Sequence, residues 1–217
     1  METRLVTLRA TTIMKLLSEA DLGDLVLLAA ISAHTRFGTC RASVPTLAAW
    51  IGIHERTARK RMNALVDLGY VRESPIPGLA RAKREIIETG SGATVEIEAG
   101  IDLDDSFGLL LLLMALGLPY TGALDDLART AGLSRPTMNG LLDRLIGRNF
   151  VTIERKSRAL FCIVPTGTFS GTGGSPKKSA DVRPANRLAD LQQQALAILR
   201  SRSSASRETA GGTNGET

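Results

Sequence analysis

Residues 47–57 read LAAWIGIHERT, and a closely similar pattern returns 80 residues later as LARTAGLSRPT over residues 127–137. In each copy an apolar stretch stops at a glycine, Gly52 or Gly132, which can adopt the left-handed backbone of a tight turn. An apolar residue follows the glycine, and the polar residue after it can cap a new helix. Each copy therefore predicts two helices joined by a tight turn, with exposed basic side chains on the second helix.

The agreement between the copies continues along the second helix and into the residues after it. Six positions of the first copy match six of the second at the same offset, namely Thr57, Met62, Leu65, Val66, Tyr70 and Val71 against Thr137, Leu142, Leu145, Ile146, Phe150 and Val151. A repeat of this length is a whole small domain. One copy alone could be an ordinary helical hairpin, but two copies in register favour a duplicated helix-turn-helix.

Each copy is flanked by the elements of a winged helix. Helical periodicity predicts three helices in the first copy, over residues 21–33, 45–50 and 55–68, and three in the second, over residues 106–116, 122–130 and 135–148. Two extended segments follow each third helix, near residues 71 and 83–87 in the first copy and at 151–154 and 160–164 in the second. The expected fold class is mainly α with small β-wings, in two tandem winged helix-turn-helix domains followed by a flexible C-terminal tail.

The predicted domains are residues 1–98 and 99–165, with a soft boundary because the alternating segment 94–98 could belong to either. A flexible linker is expected over residues 166–184, where glycine, serine and threonine are frequent at its start. Residues 185–202 carry a narrow apolar stripe at helical spacing and could self-associate, although barely two heptads make a weak coiled coil. Residues 203–217 are predicted to be disordered.

Basic residues are concentrated in the first copy. The chain has a net charge of +5, and residues 35–84 hold ten basic residues against three acidic ones. Residues 101–165 hold seven of each. An anionic partner is therefore expected mainly at the first copy.

No catalytic, metal or cofactor site is expected. The sequence shows no nucleophile elbow, no phosphate-binding glycine loop and no pair of carboxylates with a plausible partner, so an enzyme is not predicted. Two histidines and two cysteines are too few for a convincing metal site. The longest apolar run, residues 107–118, is about half of what a membrane span requires and predicts a buried helix. The scarcity of cysteine favours a reducing cytoplasm.

The candidate DNA-binding residues lie on the third helices and the wings. Arginine can read guanine, asparagine can read adenine, and lysine or arginine bind phosphates. In the first copy, the exposed face of the third helix offers Glu55, Arg56, Arg59, Lys60 and Asn63. In the second copy, the third helix and its cap offer Ser134, Arg135, Thr137 and Asn139. The wings offer Arg81, Lys83 and Arg84, and Arg155, Lys156 and Arg158. The alternatives are a solvated helix flank, solubilising loops, and for Ser134 a role as helix cap.

The chain resembles bacterial winged helix-turn-helix proteins over about residues 21–165, most clearly from Val44 to Val71. The resemblance implies binding to double-stranded DNA, and two winged helices in one short chain also resemble plasmid replication initiators. We therefore predict a sequence-specific DNA-binding protein acting as a transcriptional regulator, with its two third helices in major grooves and its basic wings on the phosphates. The alternatives are a plasmid or phage replication initiator that binds origin repeats, and a tandem winged-helix protein that bridges partners in a chromosome-organising complex.

Overall fold

The computed structural model of the protein describes residues 4–77, 82–88, 90, 92–99, 103–157 and 160–166. The first part of the chain forms β1 (Arg4–Arg9), α1 (Ala10–Glu19), α2 (Leu22–Ala33), β2 (Thr35–Arg36), β3 (Thr39–Cys40), α3 (Val44–Trp50), α4 (Glu55–Asp67), β4 (Val71–Pro75), β5 (Ala82–Ile86) and β6 (Thr94–Ala99). The second part forms α5 (Asp105–Leu116), β7 (Tyr120–Gly122), α6 (Leu124–Thr130), α7 (Arg135–Gly147), β8 (Val151–Arg155) and β9 (Phe161–Pro165). Helices make up about half of the described residues, and the small sheets are compatible with a winged helix-turn-helix.

The repeat in the sequence is also a repeat in the backbone. Helices α3 and α6, helices α4 and α7, and strands β4 and β8 begin and end at positions 80 residues apart. Gly52 and Gly132 both take the left-handed conformation that the turn requires, with φ of 68° and 66°. After the third helices, Gly69 has φ of 78° and Asn149 has φ of 58°, and asparagine tolerates this region better than most residues.

The sheets are larger than the predicted two-stranded wings. The first contains four antiparallel strands in the order β2-β3-β5-β4, and the second contains three in the order β7-β9-β8. The prediction that a helix begins at Gly122 is wrong by two residues, because Tyr120–Gly122 is a strand paired with β9 and the helix begins at Leu124.

Helices α2 and α5 form the centre of the core. All 12 residues of α2 are buried, and so are nine of the 12 in α5. Helix α5 packs against α1, α2 and α7. The approach of α2 and α5 is close, since a Cβ on Gly108 would lie 3.2 Å from the carbonyl oxygen of Leu22. The apolar run predicted as a buried helix is confirmed as one.

Two N-terminal elements escaped the sequence analysis. In α1, Ile13, Leu16 and Leu17 are buried at helical spacing, a pattern that periodicity would have detected. Strand β1 pairs along its whole length with β6. Residues 94–98, which the sequence could not assign to either domain, therefore lie beside the N-terminal strand. The division at residue 98 stays a prediction.

The predicted C-terminal linker, helix and tail lie outside the described residues, apart from Thr166. Within the part of the chain that the structure describes, no helix is both long enough and apolar enough to cross a membrane.

Candidate nucleic-acid interface

Helix α4 has one apolar face and one polar face. His54 caps it, with Nδ1 accepting a hydrogen bond from the Arg56 amide at 3.1 Å. Ala58, Met62 and Leu65 are buried on the apolar face, and Val66 is half-buried. The exposed residues of the helix include Arg56, Thr57, Arg59, Lys60 and Asn63. The side chains predicted to face DNA are thus on one surface, apart from the half-buried Glu55, which adjoins it.

The charges on this face are only weakly neutralised. The Arg59 guanidinium binds the Glu55 carboxylate at 2.6 Å, and the Arg59 side chain is 62% exposed. An exposed pair of this kind is worth only about 0.5 kcal/mol, so Arg59 can exchange Glu55 for another anion at little cost. Among the described residues, neither Arg56 nor Lys60 has an ion-pair partner.

Arg61 on the same helix has a different position, which the sequence analysis did not single out. Its guanidinium lies against Gly23 of α2, so closely that a Cβ on Gly23 would be 2.0 Å from the Arg61 Cζ. It also acts on Asp24, whose pKa is raised by burial and by Asp21 while the Arg61 charge opposes the rise. Arg61 therefore ties α4 to α2.

The first wing needs a correction. Arg84 was predicted to contact phosphate, but it is 5% exposed, and its guanidinium donates to the Ala42 carbonyl at 2.7 Å and to the Glu73 carboxylate at 2.5 Å. These bonds leave it inside the sheet, where phosphate does not reach. Lys83 remains accessible, 40% exposed and 3.0 Å from Glu85, while Arg81 lies outside the described residues.

Helix α7 has the backbone of α4 with fewer free charges. Ser134 is a cap, accepting from the Thr137 amide at 3.3 Å, which confirms the alternative given for it. The Arg135 guanidinium is bound to the carboxylate of Asp125. Asn139 is exposed, as is Thr137, whose hydroxyl lies 2.8 Å from that of Ser134. The predicted residues of this copy share one end of the helix, but its one arginine there is already paired.

The second wing carries its charge on exposed side chains. Lys156 binds Glu154 at 2.7 Å, and this bond raises the pKa of Lys156 while lowering that of Glu154. The Arg155 Nε donates to the Ser157 carbonyl at 3.2 Å, and its guanidinium lies 6.0 Å from the centre of the Phe161 ring. Arg158 lies outside the described residues.

The comparisons with known proteins bear on the first copy. None of the curated proteins matches the chain. A family model described as a helix-turn-helix domain matches residues 22–71, from the start of α2 to the first residue of β4. Across the described residues, no group of three or more histidine, cysteine, aspartate or glutamate side chains could hold a metal ion. Residues 22–71 are therefore similar to a helix-turn-helix domain, and this similarity suggests DNA as the partner.

Proposed function

We propose that the protein is a sequence-specific binder of double-stranded DNA that regulates transcription, and that it acts by binding rather than by catalysis. Helix α4 enters a major groove, where Arg59 and Asn63 reach base edges and Arg56 and Lys60 bind phosphates. Strands β4 and β5 lie beside the groove, with Lys83 on the backbone. The observation that carries the proposal is the exposed face of α4, with three free or weakly paired cations in a domain of the helix-turn-helix family.

Residues 105–165 are, in this proposal, a second winged helix-turn-helix domain. The support is the backbone repeat, which includes equivalent turn glycines and equivalent helix bounds. Asn139 and Arg135 face a second major groove about one helical turn away, and Arg155 and Lys156 contact phosphates. Because the two third helices differ in sequence, the target is an asymmetric site.

Selection of bound sites from a random duplex library tests the proposal, followed by a salt titration on the selected site and on scrambled DNA. An asymmetric consensus with a steep salt dependence is expected, since each phosphate contact adds about 0.9 to the slope. A consensus of iterated repeats would favour a replication initiator, and no consensus together with a flat slope would contradict DNA reading by α4. Arg59→Ala should relax the consensus, and Arg129→Ala, which removes an exposed paired arginine on α6, is the matched control.

A second candidate function, protein bridging by the second copy, has two observations in its favour. Ile146 of α7 is 39% exposed, and the only arginine in the first turn of α7 is paired with Asp125. If this copy binds protein, Ile146→Ser should leave DNA affinity unchanged and abolish binding of the protein partner in a pull-down. The control variant Asp143→Ser should retain that partner. Loss of DNA affinity with Ile146→Ser would favour DNA instead.

A further inference from the structure

A basic cleft lies beside the first wing, and Lys83 is its one lining residue that the sequence analysis proposed for DNA binding. It has a volume of about 680 Å³ and is lined by parts of β1, β2, β3, α3 and β5. Four cationic side chains line it, those of Arg4, Arg36, Arg41 and Lys83. None of its described lining residues is acidic. The volume is in the range of clefts that hold ligands.

Lys83 in this cleft is paired with Glu85, but Arg4 and Arg41 are not bound to carboxylates of the described residues. In the described part of the chain, Arg41 is exposed and has no ion-pair partner, and the Arg4 guanidinium lies 5.8 Å from the centre of the Trp50 ring rather than on a carboxylate. The pKa of His34 is lowered mainly by burial and further by the charge of Arg4, while the hydrogen bond between His34 and the Ala30 carbonyl opposes this lowering. Bringing Arg4 and Arg41 into one cleft whose described lining contains no acidic residue is unfavourable in the free protein, and a polyanion would relieve it.

An aromatic side chain stands at the end of the same cleft. Phe37 is fully exposed at the tip of the β2–β3 hairpin, where it has φ of 52° and the next residue, Gly38, has φ of 78°. A turn with positive φ at both central residues favours asparagine followed by glycine, and a bulky side chain is an outlier there. The ring therefore gains nothing from packing, and its backbone conformation is strained. Such a site suggests a function for the ring.

The cleft continues the proposed DNA surface at one end only. Lys83 belongs both to the wing and to the cleft, and Cys40 of β3 is paired with Arg84 next to it. A nucleic-acid backbone that passes Lys83 has the other cations of the same cleft, Arg41, Arg36 and Arg4, within its reach. The bases of a duplex are stacked inside it and do not reach an exposed ring, whereas those of a single strand do.

We propose that this cleft binds single-stranded nucleic acid, with phosphates on Arg4, Arg36, Arg41 and Lys83 and one base stacked on Phe37. Aromatic rings beside a basic groove are the usual means of holding unpaired bases without reading their sequence. This activity goes beyond duplex recognition by α4 and shares only Lys83 with the residues proposed for the duplex. It would let the protein hold a locally opened strand next to a bound duplex.

The test is fluorescence anisotropy of the full chain with a labelled 12-nucleotide thymidine oligomer, an abasic oligomer of the same length, and the selected duplex. Phe37→Asn removes the ring and suits the turn, so the hairpin is kept. It should weaken binding of the thymidine oligomer by about 10-fold or more and leave the abasic oligomer and the duplex unchanged. Arg41→Ala should weaken both oligomers and lower their salt slope by about 0.7.

Two control variants separate this site from the duplex site. Lys60→Ala on α4 should weaken the duplex and leave the thymidine oligomer unchanged, and Arg129→Ala should change neither. Equal binding of the thymidine and abasic oligomers, or no effect of Phe37→Asn, would overturn the proposal. So would equal losses on duplex and single strand with Arg41→Ala, because the cleft would then be duplex backbone surface. Free thymidine monophosphate should compete much more weakly, per nucleotide, than the oligomer does. Equally strong competition would overturn the proposal, because the ligand would then be a free nucleotide.

Discussion

Helices α4 and α7 have the same bounds in their repeats and different surfaces. Position by position, Arg59 of α4 corresponds to Asn139 of α7, and Lys60 corresponds to Gly140. The buried positions of α4 are also buried in α7, which in addition buries Leu141. The backbone is therefore determined by the apolar residues and the turn glycine, while the exposed positions were free to diverge. A shared fold in two repeats does not imply a shared partner.

The two helices are also tied to the core in different ways. In the first copy Arg61 reaches from α4 to Gly23 and Asp24 at the start of α2. In the second, Arg148 after α7 donates to both carboxylate oxygens of Asp104, the cap of α5, at 3.1 Å. Each copy thus connects its third helix to the beginning of its first helix through an arginine, from the middle of α4 in the first copy and from the residue after α7 in the second.

The largest expected effect is on DNA affinity at the first copy. Replacing both Arg59 and Lys60 by alanine should weaken binding of the selected duplex by roughly 100-fold, since each specific or phosphate contact contributes about 1–3 kcal/mol. Asn139→Ala on α7 should weaken it by less than about 10-fold. Anisotropy titrations at one fixed salt concentration measure both. A larger loss from Asn139→Ala than from the double variant would reverse the comparison.

The next effect is on stability, at the contact between Arg148 and Asp104 in the second copy. Burial by itself would raise the pKa of Asp104, but hydrogen bonds from Ser106 and the Arg148 guanidinium outweigh it and hold the pKa below its ordinary value. Asp104→Asn keeps a capping oxygen and loses the charge. It should lower the free energy of unfolding by about 2 kcal/mol at pH 7.

The pH dependence gives this prediction a sign. A lowered pKa in the folded state means that the contribution of Asp104 is fully present above the ordinary aspartate pKa of about 3.9 and is lost as the pH falls through the lower, folded value. Urea unfolding should therefore show the difference between wild type and Asp104→Asn shrinking below about pH 4. Asp105→Asn, on an exposed neighbour, is the control. A difference that stays constant down to pH 2 would rule out the charge as its source.

Much of the fold could be predicted because apolar spacing and turn residues are local signals. Gly52 and Gly132 marked the turns, and the third helices were placed within one or two residues of their ends. Strand β7 was missed because its pairing partner, β9, lies about 40 residues away, and three residues carry no periodicity of their own. Pairing between distant segments is not visible in the local pattern.

The candidate site was harder to predict because the sequence shows which residues are charged but not whether their side chains are exposed or buried. Lys83 and Arg84 are neighbours on one strand, yet one is accessible and the other is bound inside by Ala42 and Glu73. Strand alternation places them on opposite faces, and the choice of face needs the sheet. Arg4 on β1 and Arg41 after β3 line one cleft although they are far apart in the sequence and the two strands belong to different sheets, so the basic cleft was not predicted.

A smaller stability effect separates two helix glycines that face different neighbours. Gly108→Ala should destabilise the protein by about 1–3 kcal/mol, because its Cβ would press on the Leu22 carbonyl in the tight contact of α2 with α5. Gly23→Ala should change stability by less than about 1 kcal/mol, because the flexible end of Arg61 can move aside and alanine favours the helix. Thermal and urea unfolding distinguish them, and equal effects would show that the α2–α5 contact is not tight.

The smallest expected effect concerns Gly140, the counterpart of Lys60. A Cβ built on it meets no described atom within 4 Å, so packing inside the protein does not require a glycine in this exposed helix position. Gly140→Ala should therefore raise the free energy of unfolding by about 0.5–1 kcal/mol, because alanine loses less conformational freedom in a helix. If a DNA backbone or a protein partner approaches α7 closely, the same variant should weaken that binding while the protein becomes more stable. Higher stability without any loss of binding would mean that no partner approaches α7 at this position. The matched control is Gly147→Ala, because a Cβ there also meets no described atom within 4 Å but lies in the last position of the helix.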